Sequence, residues 1–406
     1  MDIIPTSSPP AVTDELRGLT WDHPRGYAPL EELARLDAAV PPGCETVGLP
    51  LRWDRQPPAA FETAPIDGLA SDYDLLVVEH IGLGAAVEAG CLVAMDDLFP
   101  AAQLEHWRRR TVGACYDSHV LDGRVWALPL DAAAQVAAAR PDLMAGHPMP
   151  RTWDEVLALP VPPALCMGGP HALLTFCALC VALGEEPGRG PEFVSRETGG
   201  AALETMARLL ARGDPRLWRL GPAGLLAAMA SAEGPAYCPL VYGYAPATQS
   251  GPYPLTFADA PASHPGGRPG SVLGGAGLAV SHRRTDDPLV REAIRDHLRR
   301  LLAEPVQCEL FPVTGGQPSD RAAWLDPRIN SRWGGFYRAT LATVEHAWVR
   351  PRAAGFPDFQ RSASRLLREG LADGRPPARL LAELDEGFRH RTRRPDHLLR
   401  PKGNGT

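Results

Sequence analysis

Short apolar runs alternate with amphipathic stretches along the first third of the chain. The run from Leu16 to Trp21 precedes a segment whose apolar residues, between Leu30 and Leu36, recur three and four positions apart as on one helix face. Tyr73 to Val78 is largely apolar, which is typical of a strand buried in a parallel sheet. Trp126 to Leu130 predicts a third strand. This alternation indicates an α/β fold with mainly parallel sheets.

The remaining chain continues the pattern. Thr152 to Glu155 has the sequence of a capping box and predicts the start of a short helix, and Leu203 to Leu210 has helical periodicity. Ala236 to Tyr242 and Leu273 to Ser281 predict strands, and Asp287 to Leu301 predicts a capped amphipathic helix. The C-terminal third is predicted to be mostly helical up to about position 390.

Composition and charge exclude several classes of function. The 406 residues carry a net charge of −7, which argues against a nucleic-acid partner because phosphate binding requires a basic face. The single lysine is Lys402, so the folded part has no lysine for a P-loop or a Schiff base. No apolar run is long enough to span a membrane, and membrane insertion is not expected. We expect no cofactor.

The cysteine pattern predicts free thiols. Of the eight cysteines, Cys177 and Cys180 form the one CxxC pair, and it lies in an apolar run without a second pair or a histidine pair nearby. We therefore expect no zinc or other metal and no structural disulfide.

The chain ends carry predictions about location. Positions 1–14 lack the basic and apolar regions of a secretory signal, so a chain that begins at Met1 is expected to be cytoplasmic. Positions 1–14 and 391–406 are predicted to be flexible tails.

Polar side chains follow three of the predicted strands. Ligands of open α/β sheets bind at the carboxyl ends of strands, so these side chains are expected to face one cleft. Arginine suits a carboxylate or phosphate, the carboxylates suit hydroxyl groups, and helix capping or mutual pairing is the structural alternative. These candidates are Asp22, His23, Arg25, Glu79, His80 and Asp131.

Two further residues are candidates for ligand contact. Gly275 lies in a glycine-rich turn that allows the backbone to approach a ligand closely. Trp333, beside a Gly-Gly pair, suits stacking on a sugar ring, although core packing explains it equally well.

Several segments together resemble the family 1 extracellular solute-binding proteins, the class that includes maltose-binding protein. The resemblance rests on the order and spacing of Leu121 to Asp131, Arg140 to Leu143, Pro150 to Glu155 and Gly315 to Pro318. It covers roughly residues 15 to 390, and the sequence departs from the family in its missing export signal.

The resemblance implies a two-lobed α/β fold, similar to the type 2 periplasmic-binding fold, with the ligand between the lobes. Lobe 1 is expected to comprise residues 15–129 and 271–306, and lobe 2 residues 130–270 and 307–390, with a helical C-terminal region. An ABC permease would be a partner only if the chain were exported by a route that its N-terminus does not show.

Two functions stay open at this stage. One is a binding protein for a sugar-like or carboxylate-bearing small molecule. The other is a cofactor-free lyase, isomerase or cyclase of a biosynthetic pathway, since a fold does not decide between binding and catalysis. In the second case His80 or His23 would be the general acid or base, tuned by Glu79 or Asp22.

Overall fold

The computed structural model describes residues 15–39, 49–61, 64–144 and 146–392. The strands are β1 Leu16–Trp21, β2 Leu51–Gln56, β3 Leu75–Val78, β4 Leu92–Val93, β5 Val120–Leu121, β6 Arg124–Val125, β7 Leu128–Pro129, β8 Ala133–Ala139, β9 Tyr237–Tyr242, β10 Thr256–Ala258, β11 Leu273–Gly274 and β12 Gly277–Ser281. The α-helices are α1 Pro24–Ala38, α2 Pro58–Phe61, α3 Ile66–Ala70, α4 Leu83–Glu88, α5 Ala101–Arg110, α6 Trp153–Ala158, α7 His171–Ala182, α8 Arg196–Leu210, α9 Pro222–Met229, α10 Pro288–Leu301, α11 Phe311–Val313, α12 Arg321–Leu325, α13 Pro327–Arg332, α14 Phe336–Ala339, α15 Leu341–His346, α16 Phe356–Ala372 and α17 Pro377–Thr392.

One sheet organises the first lobe. Its strand order is β2-β1-β3-β12-β4, with β7 also paired to β12. β1 pairs in parallel with β2 and β3, whereas β12 is antiparallel to its neighbours. Apolar side chains of α1 and α10 pack on one face and those of α4 on the other. Burial on both faces explains the uninterrupted apolar sequence of β3.

A second sheet organises the second lobe, and its strand pairs are antiparallel. β8 pairs with β9, β10 and β11. The expectation of mainly parallel sheets is therefore wrong for this lobe. Helices cover both faces, with α7, α8, α16 and α17 on one side and α12 to α14 on the other. A strand buried on both faces is apolar whatever its direction, so the sequence pattern could not reveal the pairing.

The chain crosses between the sheets in two neighbouring places. The predicted strand Leu273 to Ser281 is divided at Gly275, with β11 in the second sheet and β12 in the first. The predicted strand Trp126 to Leu130 is shorter in the structure, where β7 belongs to the first sheet and the following β8 to the second. The backbone amide of Leu130 donates to the carbonyl of Ala276, which ties the two crossings together.

Several predicted helices are confirmed. Thr152 caps α6 in a complete capping box, and Asp287 caps α10 by accepting from the amide of Leu289. The predicted lobe boundaries remain a prediction. Of the predicted tails, positions 1–14 and 393–406 lie outside the described residues, whereas Arg391 and Thr392 belong to α17.

The described cysteines are free thiols, and Cys44 lies outside the described residues. Within the part of the chain that the structure describes, no helix is both long and apolar enough to cross a membrane.

Candidate functional site

An open cavity lies between the two lobes, with about 1040 Å³ of space when the solvent at its mouth is included. The first lobe contributes the end of β1, the start of α1 and Phe61, and the second contributes the starts of α7 and α9 and the end of β9. Asp131 and Gly275 enter the lining from the two chain crossings, and the segment before and within α16 closes one side. The cavity is therefore lined by both lobes and by both chain crossings.

A buried ion pair joins the crossing to the first lobe. Both Nε and Nη2 of Arg25 contact Oδ2 of Asp131, at 2.7 and 2.6 Å. The second carboxylate oxygen of Asp131 accepts a hydrogen bond from the backbone amide of Ala276 at 2.6 Å. Despite desolvation, the neighbouring carboxylate holds the pKa of Arg25 above its usual value. Both carboxylate oxygens of Asp131 are therefore occupied by contacts within the protein. These contacts hold Arg25 and the second crossing in place.

His23 lies at the N-terminus of α1, where its Nδ1 accepts a hydrogen bond from the amide of Arg25 at 3.2 Å. Desolvation, together with the charge of Arg25, lowers the pKa of His23 to about 4. The ring is therefore neutral near pH 7 and lies 4.9 Å from the ring of Tyr244, centroid to centroid. His23 therefore caps α1 and also forms part of the cavity wall.

Aromatic side chains line the cavity from both lobes. Trp21 stacks on Phe61 at 4.8 Å between ring centroids in the first lobe. Tyr242 and Tyr244 line the cavity from the second lobe, and the guanidinium of Arg25 lies over the Tyr244 ring at 5.5 Å. Flat apolar faces beside charged groups suit a small molecule that has both polar groups and an apolar face.

Three buried residues that also line the cavity were not predicted as site residues from the sequence: Arg350, His171 and Gln360. Arg350 donates to Gln360 at 3.2 Å and to Glu79 at 3.5 Å. Desolvation and the charge of Arg350 lower the pKa of His171 to about 3, so the imidazole is neutral near pH 7. These residues follow no predicted strand end, and no sequence motif marks them.

The structure brings some of the predicted site residues together. His23, Arg25, Glu79, Asp131 and Gly275 all line the cavity. Their roles toward a ligand remain predictions.

Other predicted site residues lie elsewhere. The side chain of Asp22 is 59% exposed and lies 3.6 Å from Arg55 at the surface. His80 is fully buried in the first lobe, with its ring 6.3 Å from that of His119, because the 3₁₀ turn after β3 directs it inward. Trp333 is in the core of the second lobe, where its indole donates to the carbonyl of Pro312 at 3.0 Å. The expected common cleft therefore does not include Asp22 or His80, and Trp333, the separate candidate for ring stacking, does not line the cavity.

No group of three or more His, Cys, Asp or Glu side chains within the described ranges is arranged to hold a metal ion.

Gly275 is a position where the crossing needs glycine. Its φ is +94°, and an added Cβ would lie 2.6 Å from the carbonyl oxygen of Asp131. We expect Gly275→Ala to lower the free energy of unfolding by about 1–3 kcal/mol more than Gly90→Ala. Gly90 is the control because it also has a positive φ, +65°, but an added Cβ there would meet no described atom within 4 Å. Urea denaturation measures both variants, and equal losses would show that the close approach at the crossing has no energetic weight.

No protein-family model and no curated protein matches the sequence. Solved structures do match. A ribitol complex of an ABC transporter solute-binding protein from Agrobacterium radiobacter K84 superposes with a TM-score of 0.76 at 20% identity, covering 93% of this chain and 98% of that chain. Maltose-bound MalE3 of T. maritima gives 0.75 at 18% identity, with 93% and 99% covered. UgpB of Mycobacterium tuberculosis in complex with glycerophosphocholine gives 0.73 at 16% identity, with 92% and 96% covered.

These identities support a statement about fold, and they agree with the architecture described above. The fold predicted from the order of the sequence segments is confirmed. The chain has the two-lobed α/β fold of the ABC-transporter solute-binding proteins.

Proposed function

We propose that the protein binds a small polar molecule, sugar-like or carboxylate-bearing, in the cavity between its lobes. The observation that carries the proposal is the cavity itself, which is open to solvent and lined by side chains of both lobes and of both chain crossings. Its lining combines aromatic faces from both lobes with buried charged groups. Structures of the same fold hold ribitol, maltose and glycerophosphocholine, which supports a ligand of this size and polarity.

The geometry favours binding over the catalytic alternative. That alternative requires a histidine paired with a carboxylate and facing the substrate. His80 is buried away from the cavity, and Nδ1 of His23 accepts from the backbone of its own helix. Asp22 pairs with Arg55 at the surface. The acid–base pairs expected from the sequence are therefore not the arrangement that the structure supports.

A cavity-filling substitution tests the proposal. Ala223 is an exposed residue at the start of α9 and lines the cavity, so Ala223→Trp should place an indole in the space that a ligand needs. We expect a compound that binds the wild type to bind this variant at least tenfold more weakly, while the melting temperature changes little. Calorimetric titration with D-glucitol, D-gluconate, D-glucose and D-glucose 6-phosphate measures the effect.

Ala227→Trp is the matched control, because Ala227 is exposed on the same helix and is not part of the cavity lining. It should bind like the wild type. Equal affinity of the wild type and Ala223→Trp would place the ligand outside this cavity and contradict the proposal.

A further inference from the structure

Arg350 is a buried cation with incomplete partners. The residue is 2% exposed, yet its hydrogen bonds are long, at 3.2 Å to Gln360 and 3.5 Å to Glu79. Its Nε is buried and has no hydrogen-bond partner among the described residues. Burying a charge is costly unless it is paired and hydrogen-bonded. The guanidinium of Arg350 at the cavity wall therefore has hydrogen-bonding capacity that the described part of the protein does not satisfy.

Arg140 shows how the same chain satisfies a buried guanidinium elsewhere. Its Nε and Nη2 donate to the two carboxylate oxygens of Asp142 at 2.8 and 2.7 Å. Its Nη1 donates to the carbonyls of Met229 and Ser231 at 2.9 and 2.5 Å. Compared with this fully bonded fork, Arg350 lacks a bidentate partner of the kind that arginine binds best.

A second polar atom lies at the same wall without a protein partner. Nδ1 of His171 is buried and makes no hydrogen bond within the described part of the chain. His171 is the first residue of the twelve-residue helix α7, and the preceding Pro170 provides no side-chain cap. The amides of His171 and Leu173 at this helix end already donate to Gly168 and Ser364, so the attraction for an anion comes from the two side chains and from the helix dipole.

The other arginines that line the cavity are engaged. Arg25 has both contacts to Asp131, and Arg361 pairs with Asp358 on its own helix. The charge of Arg350 is instead balanced by Glu79, whose side chain is 23% exposed and whose Oε2 lies 3.5 Å from Nη2 of Arg350. Of these three arginines, Arg350 therefore has the longest contacts within the protein and is the one most available to an anionic ligand group.

We propose that Arg350 and His171 bind the anionic group of the ligand, a carboxylate or a phosphate, at the start of α7. The neutral imidazole would donate one hydrogen bond to the anion, and the guanidinium of Arg350 would donate to the oxygens of the anion. This assignment rests on the proposed function and narrows it, because it makes the ligand an acid rather than a neutral sugar or polyol.

Two matched pairs of compounds test the assignment. D-gluconate differs from D-glucitol by a carboxylate, and D-glucose 6-phosphate differs from D-glucose by a phosphate. Calorimetric titration should show that the wild type binds at least one acid at least tenfold more tightly than its neutral counterpart. Which acid is preferred distinguishes the carboxylate from the phosphate.

Arg350→Met should abolish that preference by weakening the acid about ten- to a hundredfold, while the affinity for the neutral compound changes little. This change in affinity is the usual effect of losing a hydrogen bond to a charged group. Arg365→Met is the control, because it removes one positive charge from an exposed position of α16. It should keep the preference of the wild type.

Thermal unfolding without ligand supplies a second readout. If Arg350 is kept for binding, its replacement by an apolar side chain should change the melting temperature little, because its hydrogen bonds are long and Glu79 remains partly exposed to water. A large fall in melting temperature, with neutral and acidic compounds weakened alike, would assign Arg350 a structural role and overturn the proposal.

The remaining outcomes separate this inference from the proposed function. Binding of neutral and acidic members with equal affinity would overturn the anion site and leave the binding function standing. Failure of all four compounds to bind the wild type would count against both.

Discussion

Asp131→Asn is expected to lower the free energy of unfolding by about 3–5 kcal/mol, the usual effect of removing one partner from a buried ion pair. The side chain of Asp131 is 1% exposed and that of Arg25 is 9% exposed, so water cannot replace the lost carboxylate charge. The substitution keeps the shape of the side chain and an acceptor for the amide of Ala276. The loss of unfolding free energy therefore measures what the carboxylate charge contributes to stability. Urea denaturation monitored by circular dichroism is the appropriate experiment.

Asp22→Asn is the control for this prediction. Asp22 was also a predicted site carboxylate, but its side chain is largely exposed and its partner Arg55 is 3.6 Å away. Its replacement should change the free energy of unfolding by no more than about 0.5 kcal/mol. A similar loss of unfolding free energy in the two variants would contradict a stabilising role of the Arg25–Asp131 pair between the crossing and the first lobe.

The protein should also lose stability steeply as the pH falls below about 6.5. His119 is 2% exposed, and desolvation lowers its pKa to about 4, although the carbonyl of Cys115 opposes the shift. A histidine whose folded pKa is lowered stays neutral in the fold and takes up a proton on unfolding. Its contribution to the free energy of unfolding is complete above the unfolded pKa of about 6.5. This contribution is lost as the pH falls toward 4, at about 1.4 kcal/mol per pH unit.

His80 and His171 should add to this slope, because desolvation lowers their pKa values in the same direction. Urea denaturation at pH 7, 6 and 5 gives the slope, which should become shallower by about one proton in His119→Gln. His147→Gln is the control, since His147 is exposed and its replacement should leave the slope unchanged. An identical slope in wild type and His119→Gln would contradict the assignment of His119 as a buried neutral group.

The fold could be predicted from the sequence because its signals are local and ordered. Helical periodicity gave α1, α8 and α10, the capping box gave α6, and the order of short segments gave the two-lobed architecture. Strand direction could not be predicted, because β8 and β9 are buried on both faces and carry no alternation that would mark their pairing.

The site could be predicted only where a strand end and a cavity coincide. That rule found Arg25 and Asp131, but it gave no account of side-chain direction. The 3₁₀ turn after β3 directs His80 into the core, and Asp22 points outward one position before His23.

Arg350 was missed for a different reason. It belongs to the segment before α16, far along the chain from the predicted strands, and becomes part of the site only through the packing of that segment against Glu79. Its unmet hydrogen-bonding capacity is a property of three-dimensional surroundings that no single-sequence pattern encodes.

The central claim is that a small polar molecule binds between the lobes. The most direct measurement is a crystal structure of the protein grown with whichever of D-gluconate, D-glucitol, D-glucose or D-glucose 6-phosphate binds most tightly in solution. We expect density for that compound in the cavity, in contact with Trp21 from one lobe and Tyr242 from the other. A cavity that holds only solvent at a saturating concentration, or a compound bound on an outer surface, would contradict it.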